Sequence, residues 1–152
     1  MKHSISFSLI LFLKIFIFSS FILAKNLPTS DIIKVLTEND THIFVVEVVS
    51  SLQGREKGLQ GREVLNVGEG MLFNFPRPQI VYMWMHNTKI PLDMVFIKPN
   101  GRISKIVSNT IPYSKQIIHS DEKVKAVLEI NSGDAIKLKI KAGHKVKHKI
   151  FE

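Results

Sequence analysis

Leu92-Asp93-Met94-Val95-Phe96-Ile97-Lys98-Pro99-Asn100-Gly101-Arg102-Ile103-Ser104-Lys105-Ile106-Val107 reads as two β-strands folded back on a tight turn. Side chains alternate across a strand, so Leu92, Met94 and Phe96 share one face while Asp93, Val95 and Ile97 share the other. Both sets are apolar apart from Asp93, which predicts a strand covered on both sides. Lys98-Pro99-Asn100-Gly101 supplies the reversal, because Pro fixes the entry and Asn and Gly tolerate positive φ. Arg102 to Val107 returns as the partner strand.

The same pattern recurs on either side of this hairpin. From Thr41, Phe44, Val46 and Val48 alternate with Val45, Glu47 and Val49, a β-branched strand. Gly70 to Phe75 sets Met71, Phe73 and Phe75 on one face and is expected to break at Pro76-Arg77-Pro78. Ile80 to Met85 and Val124 to Ile130 read as further strands, and Ala135 to Ile140 and Lys145 to Phe151 as two short closing runs. Between the first two strands, Ser50-Ser51-Leu52-Gln53 starts a short helix with Ser50 as its cap, ending near Lys57 at Gly58. Many short strands with one short helix predict an all-β fold, a small single-domain sandwich or partly closed barrel.

The N-terminal end carries an address. Lys2 and His3 precede an apolar run from Ile5 to Leu23 broken at Lys14, and the small Ala24 is followed by Lys25-Asn26. This is the layout of a secretory signal peptide over residues 1–24. The stretch Ile15 to Leu23 falls short of the roughly 20 residues a spanning helix needs. No later stretch reaches that length either, so an exported chain, periplasmic or secreted, without a transmembrane anchor after cleavage is expected. Residues 25–40 mix Pro, Thr, Ser and charge around Ile32-Ile33 and read as a leader with at most one turn or edge strand. The β-rich domain is then expected over 41–152. There is no Cys, which excludes disulfides, so its core alone must hold it.

The sequence has 21 Lys and Arg against 13 Asp and Glu; without Lys2 and Lys14 the balance is 19 against 13, a formal +6. A moderate positive charge suits anionic envelope surfaces or anionic ligands. Lys137, Lys139, Lys141, Lys145, Lys147 and Lys149 form a basic tail, expected to make weak contact with anionic surfaces and to discourage edge-to-edge pairing. Aromatic residues are not interleaved with these charges, so nucleic acid is not an expected partner.

Candidate site residues cluster around Tyr82 to Ile97. Asp93 in an apolar strand is either an acid or base poised at a cavity wall, or a structural carboxylate tying down the Asn87-Thr88 turn or pairing with an Arg. Glu129 alternates with Leu128 and Ile130, so it shares a face with Val127 and Lys125 that is either solvated or a second pocket. Arg55 and Arg62 occur in a repeated Leu-Gln-Gly-Arg-Glu, at Leu52 to Glu56 and Leu59 to Glu63. Either is a candidate anion contact or the salt-bridge partner of Glu129. Trp84, with Tyr82 on the same face, could stack a planar or sugar ring or fill the core. Asn87 and Thr88 could bond ligand oxygens or their own turn. His144 and His148 have helical spacing in a strand-like context with no third ligand nearby. No metal and no cofactor is expected, since His-Glu-x-x-His, Cys pairs, a phosphate loop and a dinucleotide fingerprint are all absent.

The residues Arg55, Gly58-Leu59, Arg62, Gly70-Met71-Leu72-Phe73, Phe75, Trp84-Met85, Asn87-Thr88, Ile90-Pro91-Leu92-Asp93, Phe96-Ile97, Gly101, Leu128-Glu129 and Gly133 stand in one order. In this the sequence resembles the prokaryotic domain-of-unknown-function family 192, from about Arg55 to Val146. The resemblance implies a small, mostly β domain of sandwich or barrel type, often exported, and a helical turn where Ala135 to Ile140 alternates here. It implies no activity. His86 stands where such sequences usually carry Lys, and His144 where Asp is usual, so a metal role for either would be private to this chain. Two functions are expected. The first is a non-catalytic domain binding a small or envelope-derived ligand in a pocket around Trp84, Asn87, Asp93, Arg62 and Glu129. The alternative is a hydrolase of an envelope component using Asp93 and Glu129 as acid and base.

Overall fold

The computed structural model describes residues 30–152; the export signal expected over 1–24 lies outside the described residues. In chain order the elements are β1 (Ser30–Leu36), β2 (Thr41–Val49), α1 (Leu52–Lys57), β3 (Glu69–Gln79), β4 (Tyr82–Met83), β5 (Leu92–Ile97), β6 (Ile103–Val107), β7 (Ile118–His119), β8 (Val124–Asn131), α2 (Asp134–Lys137) and β9 (Lys145–Lys147). A single-turn 3-10 helix, Lys149–Phe151, follows β9. Seven strands form one curled sheet in the order β6-β5-β8-β3-β2-β1-β9, and β4 pairs with β7 in a separate two-stranded ribbon. Neighbours in the large sheet are antiparallel except β2 and β3, whose parallel pairing needs the crossover that α1 and the following loop provide.

The two edges of the curled sheet meet. Ile103 N–H donates to His144 O at 2.9 Å, Gly143 N–H to Ile103 O at 2.8 Å and Val146 N–H to Gly101 O at 2.7 Å. Of the two architectures the sequence allows, this is the partly closed barrel. The Pro99-Asn100 turn makes it possible. Gly101 has φ +76°, and a Cβ there would sit 2.6 Å from Val146 O, so only glycine lets the seam approach.

All six residues of β5 are buried, as its two apolar faces require. One face contributes Val95 and Ile97 to a core inside the curl, with Leu72, Leu128 and Ile130 of the neighbouring strands and Ile33, Val35, Phe44 and Val46 of β1 and β2. The other face contributes Leu92, Met94 and Phe96 to a second core outside the curl, with Met71, Phe73, Phe75 and Val127. Two buried faces on the central strands are the main structural fact behind the site.

Several expectations shift. Residues 25–40, read as a leader with one turn or edge strand, carry β1, which is not an edge but is bonded on both sides, to β2 and β9; the sheet thus begins at Ser30 rather than Thr41. β3 does not stop at Pro76 but runs on to Gln79. The prolines sit where the pairing to β8 is interrupted, between Asn74 and Gln79, so no ladder N–H is lost to them. Only Tyr82 and Met83 of Ile80 to Met85 are strand. The cap of α1 is Ser51, whose hydroxyl accepts from Gly54 N–H at 3.0 Å, one residue after the expected Ser50; Gly58 ends the helix as expected. Ala135 to Ile140, open in the sequence between strand and helical turn, overlaps the helical turn α2 that the resemblance implies, leaving Ile136 exposed while Ala135 and Ile140 close the end of the inner core. Among the described residues no helix is long and apolar enough to cross a membrane.

Candidate functional site

The outer core is not completely filled. Between α1, β3 and the segment from Tyr82 to Thr88 lies a cavity of about 350 Å³. Phe73, Phe75, Tyr82 and Trp84 supply aromatic wall, Arg55 lies on the α1 side, and Glu129 of β8 lines it from the sheet. Phe73 and Phe75 are buried, whereas Trp84 is 51% and Tyr82 69% exposed, so the aromatic wall runs from the interior to the surface. Trp84 is steadied by His86, their ring centroids 5.2 Å apart.

Glu129 is 4% exposed and has neither a hydrogen-bond donor nor a cation beside it among the described residues. Its neighbours across the sheet are Met71 and Met94. Burial alone pushes its carboxyl up to about 8, because an ionised carboxylate loses its water there and gains nothing in exchange. Arg55 is the reverse case. Its guanidinium donates to Ser50 O and, at 3.2 Å, to Asn74 O, and stacks 5.2 Å from the Phe75 ring centroid. The arginine thus latches α1 onto β3 through Nη1, with no carboxylate paired to it among the described residues.

The family model for DUF192, described as an uncharacterized ACR, matches residues 34–148. The chain belongs to the DUF192 family. Among solved structures, a Sinorhizobium meliloti 1021 protein described as a candidate transcription regulator is 36% identical, with TM-score 0.78 over 80% of this chain and 95% of that one. A Novosphingobium aromaticivorans DSM 12444 protein of unknown function is 35% identical, with TM-score 0.77 over 78% and 85%. No curated protein matches.

Of the seven candidates in this DUF192 chain, Arg55, Trp84, Thr88 and Glu129 line the cavity. Thr88 Oγ1 donates to His86 O at 3.3 Å, and Thr88 N–H donates to Met85 O, so its first role is to close the turn. Asn87, at φ +52°, occupies the left-handed position of that turn and is exposed outside the cavity. Arg62 pairs with Glu47 and not with Glu129, because the helix ends at Gly58 and the second Leu-Gln-Gly-Arg-Glu runs through a turn.

Asp93 lies on the other face of the sheet. Its Oδ1 accepts from Asn109 N–H at 2.8 Å and Gly133 N–H at 3.1 Å, and its Oδ2 from Ala135 N–H at 2.9 Å. It is a structural carboxylate, but the backbone it ties down is the entry to α2 rather than the Asn87-Thr88 turn. Asp93 stands opposite Ile130 and Met94 opposite Glu129, so the two carboxylates project from opposite faces. They cannot flank one substrate as acid and base.

His144 and His148 go to separate partners, with Nε2 3.0 Å from Glu38 and 3.2 Å from Asp31 respectively. Phe73 and Phe75 are cavity residues that the sequence marks only as one face of a strand. Their alternation with Met71 was visible, but the register placing Met71 opposite Glu129 was not.

Proposed function

We propose that this DUF192 domain is an exported binding protein that holds a small or envelope-derived ligand, without turning it over, in the cavity bounded by Arg55, Phe75, Trp84 and Glu129. One observation carries the reading. A nearly buried carboxyl costs stability when nothing pairs with it, and Glu129, without a partner among the described residues, borders a space large enough for a ligand. An occupant offering Glu129 a donor relieves that cost, and the aromatic wall contributes apolar and stacking contact. A non-catalytic role is favoured because the second buried carboxylate, Asp93, is spent on three backbone N–H groups on the far face. Export is supported by the signal-like residues 1–24, and binding to nucleic acid is not part of the reading.

The test is a thermal-unfolding screen of the protein against sugars, peptides, amines and lipid headgroups, beside Trp84→Ala. At least one class should raise the midpoint of the wild type by several degrees and do so weakly or not at all for the variant. No shift from any class, or equal shifts in both proteins, sinks the reading.

A further inference from the structure

We propose that the cavity takes a small organic ammonium ion, with Glu129 as its counter-ion and the Phe73, Phe75, Tyr82 and Trp84 rings as its wall. This rests on the preceding reading of the cavity as a binding site and names the ligand class. The cavity, about 350 Å³, lies at the small end of ligand pockets, roughly 300–1,000 Å³. Its polar centre is an acid, and among the described residues no base or cation meets it. Arg55, the cation best placed to recruit an anion, is already bonded to two carbonyls and stacked on Phe75. The remaining charges at the wall, Glu56 and Lys57, are adjacent, opposite in sign and exposed, so solvent screens them. Aromatic faces attract a desolvated cation through their quadrupole, and an ammonium with an apolar shell loses little water on entry.

Entry of the cation favours ionised Glu129, which releases its proton to solvent. The other titratable groups facing the cavity are Arg55, Glu56 and Lys57 of α1 and Tyr82 and His86 of the opposite wall. β3 and β5, the elements flanking Glu129, present Met71 and Met94. With Glu129 at about 8, roughly one site in eleven is ionised at pH 7, and nearly all are at pH 9. Cation affinity should therefore rise about tenfold over that interval.

Choline and its uncharged carbon isostere 3,3-dimethylbutan-1-ol are the probes, followed by fluorescence of Trp84, the one Trp of the sequence. Choline should bind the protein, tightening about tenfold from pH 7 to pH 9, and the isostere should show no such trend. Glu129→Gln should weaken choline at least tenfold and abolish its pH trend, while retained binding of the isostere reports an intact cavity. Isostere binding as tight as choline's, or choline affinity flat with pH, overturns the cation assignment. If another ligand class then stabilises the wild type but not Trp84→Ala, the cation assignment alone has failed. If no class does, the binding reading has failed with it.

Discussion

Glu129 makes stability fall as pH rises through neutrality, against the opposite contribution of His148, whose imidazole burial holds below its ordinary value. The ordinary value of Glu129 is 4.5 and burial raises it to about 8. Between those values the native protein keeps a proton that the unfolded chain has lost, so the unfolded state binds fewer protons and stability falls as pH rises. The loss approaches about 1.4 kcal/mol per pH unit inside the window from about pH 5 to pH 8. Glu129→Gln, neutral at every pH, should remove most of that slope and be more stable than wild type at pH 8. Urea unfolding of both proteins at pH 5, 6.5 and 8 checks this; parallel profiles would mean that Glu129 is solvated or paired. The alternation of Leu128, Glu129 and Ile130 shows from sequence that Glu129 faces away from the inner core. What covers that other face depends on β3 and α1, which are distant in sequence and carry no local signal of their docking.

At the scale of elements, α2 shows how one side chain overrules a pattern. Ile136, Leu138 and Ile140 alternate as in a strand, and four helical residues are far too few to be stable alone. The turn persists because Asp93 of β5 accepts the Gly133 and Ala135 N–H groups at its start, where Gly133 offers no side-chain cap. Asp93→Asn replaces an acceptor oxygen with an NH2 group facing donors, and should cost about 2–4 kcal/mol while leaving the cavity on the opposite face unchanged. Denaturant unfolding measures the first effect and Trp84 fluorescence the second. A loss under about 1 kcal/mol would show that α2 holds without the cap. The burial of Asp93 was legible in β5, whereas its partners were not, since the backbone groups it serves belong to a segment whose local pattern points to another structure.

For the whole molecule, closure depends on β1. It pairs with β2 from Ser30↔Glu47 to Leu36↔Thr41 and with β9 along its other edge. Ile33 and Val35, both fully buried, are among its contributions to the inner core. Burying those two side chains is worth roughly 3–6 kcal/mol together, comparable with the 5–15 kcal/mol that typically separates folded from unfolded domains. A chain beginning at Thr41 should lose cooperative thermal unfolding by circular dichroism, while one beginning at Lys25 keeps it. Equal midpoints for the two would show that β1 is dispensable.

The sequence by itself determined the all-β class, the hairpin at Lys98–Gly101, the two apolar faces of β5 and the burial of Asp93, because alternation and turn chemistry are local properties. The resemblance carried by its motifs also determined the family. The tertiary structure alone decided that the sheet closes on itself through Gly101 and Val146, that β1 belongs to it, and that Asp93 and Glu129 face opposite sides. Those outcomes depend on strand order and register between distant segments. Period-two patterning states that a side chain is covered; only the pairing of strands states by what.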